Sequence, residues 1–263
     1  MTGSAARRLR RLPPVRRARG FRLYTLGGER FVDLWQASGR AILGHGGPAV
    51  AHVKRVLDRG TLAPAPSTAE RQLVQALRRL LTGYPPFNVA VYGTMEAAVA
   101  AAAAALGLPP DRCVPREPLA PSATASPLAL WRPFLPPADP ETAAQLLLPV
   151  LPDGGLFTAQ VLLYPADAGM LLASDIVAEP ALAALTAAAH ALVSPKERPV
   201  IALHGFSGVG PYLVPDDSRD YDRVFDRFLS EGVLISPDPA VPSIVPGELS
   251  DGERARVERA ARS

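Results

Sequence analysis

The chain reads as an α/β protein. It has a mostly parallel central sheet with helices on its faces, and a small α+β part built from both termini. Three observations predict this. Apolar strand-like runs alternate with helical patterns through the middle, as where "FNVAVY" leads into "MEAAVAAAAAALG". The opening "FRLYTLGGERFVDLW" is hairpin-like instead. The closing segment is mixed, with an amphipathic helix, a short strand and a last helix. With 263 residues, 48% hydrophobic and 20% charged, the chain has a globular composition and length for a sizeable core.

Each element has a local reason. "FRLYT" and "RFVDLW" are strand-like, and Gly27-Gly28 supplies the positive φ of the turn between them. "SGRAILGHGGPAVAHVKRVLDRG" predicts a short strand, a glycine-rich turn, and a helix with Pro48 in its first turn and Gly60 past its end. In "APSTAERQLVQALRRLLTG", Ser67 or Thr68 caps a helix whose apolar stripe is Leu73, Ala76, Leu77 and Leu80. After the alanine-rich helix, residues 109–155 are crowded with prolines and read as loop with short extended pieces; "PETAAQLLLPV" suggests a short helix. "LFTAQVLLYPAD" and "RPVIALHGF" read as strands around the helix "EPALAALTAAAHALV". "DSRDYDRVFDRFLSEG" is an amphipathic helix, "VLISP" a strand, and "SDGERARVERAAR" a helix capped by Ser250. The domains expected are a basic tail (1–20), an N-terminal hairpin and helix (21–60), a central α/β domain (61–205) and a C-terminal segment (206–263).

Charge is uneven. Net charge is +3, yet "AARRLRRLPPVRRARG" carries seven arginines and no acid, leaving 21 basic against 25 acidic residues elsewhere. The expectation is a solvated, partly disordered tail, with nucleic-acid contact not its expected role. The acids of "DDSRDYD" read as a solvated loop and helix start. No apolar run follows "RRLRR" as an export signal requires, and no stretch approaches the roughly 18 apolar residues of a membrane helix. A cytoplasmic protein without membrane contact is expected. The single cysteine, Cys113, excludes a disulfide within the chain. His45 and His52, seven apart, do not make a metal motif, and no metal site is expected. Lysine is limited to Lys54 and Lys196.

Two glycine motifs fail on inspection. "GHGGPA" fits a dinucleotide fingerprint in form, but Pro48 removes a backbone donor where pyrophosphate would sit. "GFSGVG" has Val209 where a nucleophile elbow needs glycine. The Gly93-Thr94 corner has two readings: an anion cup at a helix N-terminus, or a turn and N-cap.

Several segments together resemble the class-III aminotransferases, pyridoxal-phosphate (PLP) enzymes of fold type I, and most of all glutamate-1-semialdehyde aminomutase. These are "GFRLYTLGGERFVDLWQASGRAILGHGGPAV", "RGTLAPAPSTAERQLVQAL", "VYGTMEAAVAAAAAALG" and "DRVFDRFLSEGVLISPDPAVPSIVPGELSDGERARVERAAR". The resemblance covers roughly residues 12–107 and 200–263. It implies a fold-type-I PLP-transferase-like architecture and a dimer with active sites at the subunit interface. It also implies that Gly93, Thr94 and Met95 form the cofactor-phosphate corner. With Glu96-Ala97 held in register, these three stand on the family's serine, glycine and threonine; with Gly93-Thr94 held, Met95 is an insertion. The family's pyridine-facing aspartate has Asp167 as its nearest stand-in. Its Schiff-base lysine has only Lys196, in a context unlike the family's, and Lys54 lies on the wrong element.

Three functions follow. The leading one is a degenerate aminotransferase-like protein without covalent PLP chemistry, with no cofactor or PLP held non-covalently. It would act as a binding or partner subunit: a homodimer, a heteromer with an aminotransferase-like subunit, or a metabolite binder. The second is an active, compact PLP-dependent aminotransferase or aminomutase on amino-acid-like substrates, with Lys196 catalytic. The third is an unrelated α/β binding module whose corner is only a cap.

Overall fold

The computed structural model describes residues 3–119, 126–136, 146–167, 169 and 171–262. In chain order its first elements are α1 (Gly3–Leu9), β1 (Val15–Arg19), β2 (Arg22–Thr25), β3 (Arg30–Asp33), α2 (Pro48–Asp58), α3 (Ala69–Leu80), β4 (Phe87–Tyr92) and α4 (Met95–Ala105). Then come β5 (Leu128–Trp131), β6 (Leu146–Pro149), β7 (Gln160–Pro165), α5 (Glu179–Val193), β8 (Phe206–Val209), β9 (Tyr212–Pro215), α6 (Tyr221–Ser230), β10 (Val233–Leu234), β11 (Ser243–Ile244) and α7 (Asp251–Arg262). The chain divides into two units, one of Met1–Gly47 with Lys196–Ser263 and one of Pro48–Pro195.

The central unit holds a sheet ordered β4-β7-β6-β5. Here the expected mostly parallel sheet needs refinement. β5 and β6 pair parallel, but β7 lies antiparallel to both β4 and β6. Three strands thus run one way, and the reversed β7 between two of them makes most pairings antiparallel. "FNVAVY" and "QVLLYP" pair over their full length, from Phe87 opposite Pro165 to Tyr92 opposite Gln160. α4 packs on this sheet: Ala98, Ala102 and Ala103 are buried with Tyr92, Leu128, Leu146, Leu148 and Leu162. Alanine lets the helix approach the strands closely, so its small side chains serve packing. α2 and α3 both pack on α5, which buries ten of its fifteen residues. α2 therefore belongs with the central unit, rather than with the N-terminal hairpin where the sequence reading put it. Of the short helix expected from "PETAAQLLLPV", residues 140–145 lie outside the described residues, and Leu146–Pro149 form strand β6 instead, fully buried between β5 and β7.

The terminal unit holds a sheet ordered β1-β2-β3-β10 and a smaller one ordered β11-β9-β8. The predicted hairpin forms, with Arg22 opposite Val32 and Gly28 at φ 86° in its turn. β10, from "VLISP", adds parallel to β3. α6 and α7 cover the core through Tyr221, Phe225, Phe228, Val257 and Ala260. "RPVIALHGF" does not form the expected strand: residues 198–203 are irregular, and regular pairing begins at Phe206. Pro199 offers no backbone donor, and the Arg198 guanidinium donates instead to the Ile42 carbonyl. Ile201 and Leu203 still bury in the core.

The arginine-rich start is ordered and not a free tail, although its arginines other than Arg8 are exposed as expected. α1 docks by charge on α6: Arg8, 8% exposed, donates to both Asp222 carboxylate oxygens at 3.3 and 3.1 Å and to the Pro237 carbonyl at 2.9 Å. Arg11 donates to Asp222 and Asp226 at 2.8 and 2.7 Å. Of the acids read as a solvated loop and helix start, Asp222 is the partner of these arginines, while Asp216, Asp217 and Asp220 are exposed as expected. Bidentate guanidinium–carboxylate pairing, with one cation buried, overrides the disorder that composition alone suggests.

Candidate functional site: the Gly-Thr corner

The corner sits where β4 turns into α4. Thr94 is extended at φ −144° and ψ 164°, and its hydroxyl oxygen accepts the Ala97 amide at 3.1 Å, a side-chain N-cap. Glu96 lies in the first turn, exposed, where negative charge suits the helix dipole. Its carboxyl is held below the usual range by its own backbone amide and by the Thr94 hydroxyl.

Gly93 is held from both sides. Its amide donates to Asp175 Oδ2 at 2.9 Å, and its carbonyl accepts the Thr158 hydroxyl at 2.7 Å. Asp175 is brought there by a segment running beside β4: the Asp175 amide donates to the Val91 carbonyl at 2.8 Å, and the Val91 amide donates to Ser174 Oγ at 3.1 Å. A Cβ on Gly93 would lie 3.7 Å from Asp175 Oδ2, an ordinary contact, and Gly93 does not have a positive φ. Tyr92 is 4% exposed with no hydrogen-bond partner for its hydroxyl among the described residues; burial, then the Asp175 charge, pushes that phenol up. Met95 is half-buried against the central core.

Of the sequence-predicted residues, Gly93, Thr94 and Met95 are together by adjacency. Asp167 is not with them. It is exposed just beyond the end of β7, and that end pairs with Phe87, whereas the corner follows Tyr92. Five strand steps of ~3.3 Å put it roughly 17 Å or more away. Lys196 is exposed on an irregular stretch and is the first residue of the returning part of the terminal unit. Lys54 is exposed on α2. The residues sequence reasoning missed are Asp175, Thr158 and Ser174. Asp175 lies 82 positions from Gly93 within "LLASDIVAEP", which carries no local mark of such a contact.

The residues present do not fit a phosphate at this corner. The amides of Gly93 and Ala97 already have acceptors, and the Asp175 carboxylate holds the place on the Gly93 amide that an anion would take, with the Glu96 carboxylate in the first turn of α4. Like charge opposes such binding, and a filled amide offers it no donor.

The other polar cluster lies in the terminal unit, on the expected short strand from Ser38. Instead of a strand, Gln36, Ala37 and Ser38 take φ of 47°, 49° and 59°, a left-handed turn closed by Gly39. Asp33, 1% exposed, fixes it: one oxygen accepts the Trp35 and Gln36 amides at 2.9 Å each, the other lies 2.7 Å from His45 Nε2. Gln36 is fully buried and donates to the carbonyls of Asp33 and Ile244. The "GHGGPA" glycines serve backbone approach: Gly44 lies 3.3 Å from Gly20 by its would-be Cβ, and the amides of Gly20 and His45 exchange hydrogen bonds. His52 Nδ1 lies 3.4 Å from the Pro48 carbonyl, and no cluster that could hold a metal occurs among the described residues.

No protein-family model matches the chain. It is 36% identical over 94 residues to a glutamate-1-semialdehyde 2,1-aminomutase of Verminephrobacter eiseniae, spanning 35% of this chain and 21% of that enzyme. Among solved structures it resembles an omega-transaminase from Sphaerobacter thermophilus, with a TM-score of 0.65 at 14% identity, covering 94% of this chain and 89% of the other. It also resembles an acetylornithine aminotransferase from Elizabethkingia anophelis, with a TM-score of 0.61 at 10% identity over 95% and 93%. At such identities the likeness establishes the fold, which is that of the fold-type-I, class-III aminotransferases. An uncharacterized protein of Treponema pallidum is 30% identical over 295 residues, covering 90% of each chain. This chain belongs to the same family as that Treponema pallidum protein, built on the aminotransferase fold.

Proposed function

We propose that the chain is a degenerate aminotransferase-like protein that acts by binding, without covalent PLP chemistry. The observation that carries this reading is the Gly93 amide held by the chain's own Asp175 carboxylate, with Glu96 beside it. An aminotransferase corner must receive an anion; this one already contains one. The lysines support the same reading. A Schiff-base lysine both captures the cofactor and moves the proton at the substrate α-carbon. Loss of acid–base help alone costs about 10²–10⁴-fold. Lys54 and Lys196 are both exposed, and neither belongs to the corner's hydrogen-bonded set.

The proposed working form is a homodimer, or a heteromer with an aminotransferase-like subunit. Light scattering of the purified chain gives the first count of subunits. The test of the main reading is an absorbance titration with PLP. The expected result is a spectrum that is the sum of protein and free cofactor. A new visible band that Lys196→Ala removes would establish the active, compact enzyme instead.

A further inference from the structure

In the terminal unit, β1 is an open edge. It is the outermost strand of the sheet ordered β1-β2-β3-β10, and all five of its residues are exposed. Among the described residues it pairs with β2 alone. At Gly20, just past its end, the chain turns to a bridge with His45. The register fixes which way its main chain faces. The Asp33 amide donates to the Phe21 carbonyl at 2.9 Å, so Phe21 and Leu23 bond toward β3, and the alternate Arg22 and Tyr24 bond toward β1. Arg22 stands opposite Arg19, and Tyr24 opposite Arg17. Arg17 and Arg19 therefore turn their main-chain groups to β2, and the Ala18 amide and carbonyl point outward from the sheet.

The side chains on this edge carry unmatched charge. Arg16, Arg17 and Arg19 make no ion pair with a described residue, whereas Arg8, Arg11, Arg22 and Arg30 of the same unit all meet carboxylates. The Arg17 guanidinium lies 4.4 Å from the centre of the Tyr24 ring, which holds it on one face of the sheet. Arg19, two residues on, shares that face, roughly 7 Å away along the strand. The unmatched cations thus form a line on one short strand. A nucleic-acid footprint of about six to ten phosphate contacts needs a broader basic surface. A second copy of this chain is disfavoured here as well. Antiparallel pairing about Ala18 sets Arg17 against Arg19 twice, and like charges directly opposite repel. Charge that blocks the protein's own edge favours a strand of opposite sign.

We propose that β1 is a docking edge for an extended acidic segment of another protein, added antiparallel as a further strand with acids at alternate positions. Its main chain bonds to Ala18, and carboxylates two residues apart meet Arg17 and Arg19. The pairs opposite these arginines are the closer, non-hydrogen-bonded kind, about 4.5 Å between Cα atoms. The proposal does not rest on the reading of the corner. The test is fluorescence anisotropy with the full chain at low salt and three labelled probes. These are a peptide alternating glutamate and threonine, an isomer with the same residues but its glutamates in one block, and an oligothymidylate DNA strand. The alternating peptide is expected to bind about tenfold more tightly than the block isomer, as one charge-assisted contact provides. Arg19→Gln is expected to remove that advantage. Ala18→Pro deletes the outward donor at an edge position where proline is tolerated; binding should weaken about fivefold with the melting temperature unchanged. No binding of the alternating peptide, equal binding of the two peptides, tighter binding of the DNA strand, or binding unchanged in either folded variant would overturn the proposal.

Discussion

Acidification from pH 6 to pH 3 should destabilise the terminal unit through one residue, Glu253. Its carboxylate is 2% exposed and receives both Arg22 donors, Nε and Nη2, at 2.8 Å each. The Ser250 amide donates to it at 2.9 Å. The Arg22 hydrogen bonds, against the opposing effect of burial, hold Glu253 down at about 2, from an ordinary 4.5. That difference corresponds to about 3 kcal/mol of folding stability. The folded-state value is depressed, so this stability is fully present above pH 4.5 and is lost as pH falls toward 2. About 2 kcal/mol of it is gone by pH 3. The assay is urea unfolding at pH 6, 5, 4 and 3, followed by Trp35 fluorescence in a Trp131→Phe background, so that only the terminal unit reports. Glu253→Gln cannot titrate, and its stability should fall less steeply over this range by about 2 kcal/mol. Parallel curves for the two proteins would show that the Arg22–Glu253 pair does not hold the unit as described.

Three further outcomes are expected. Arg8→Ala removes charge-assisted bonds to Asp222 and a bond to the Pro237 carbonyl, and should lower stability by about 1–3 kcal/mol; an unchanged melting temperature would mean that α1 is not docked on α6. Ala37→Gly relieves a left-handed alanine at φ 49° and should raise stability by about 1 kcal/mol, read in the same urea assay; a loss would contradict the left-handed turn. Asp175→Ala leaves the Gly93 amide without its acceptor, so that amide should exchange with deuterium at least about tenfold faster; equal exchange would show that Asp175 does not close the corner.

What was legible in the sequence follows a physical line. α4 and α5 could be read because their determinants are local: an N-cap at Thr94, a proline in the first turn of α5, and runs of small apolar residues between. The β2–β3 hairpin announced itself through Gly27-Gly28 for the same reason. Contacts between distant residues were hidden. Arg8 meets Asp222 across 214 positions, so a basic segment and an acidic one each looked solvated when read alone. The reversed β7 gave no sign of its direction, because a buried strand has the same apolar run whichever way it lies. The turn at Gln36–Ser38 uses positive φ at three residues that are not glycine, so the usual mark of such a turn is missing. At the corner, "GTMEAA" showed a cap and a possible anion cup equally well. What separates them is Asp175, set in place by main-chain pairing with Val91.

The central claim is that the corner is closed by the chain's own carboxylate and that covalent PLP capture is absent. The most direct measurement is borohydride reduction of the protein with equimolar PLP, followed by peptide mapping at both lysines. Little adduct at either Lys54 or Lys196, shared between them as for two exposed amines, is the predicted result. Stoichiometric labelling of one lysine alone would contradict it and identify a working Schiff-base residue.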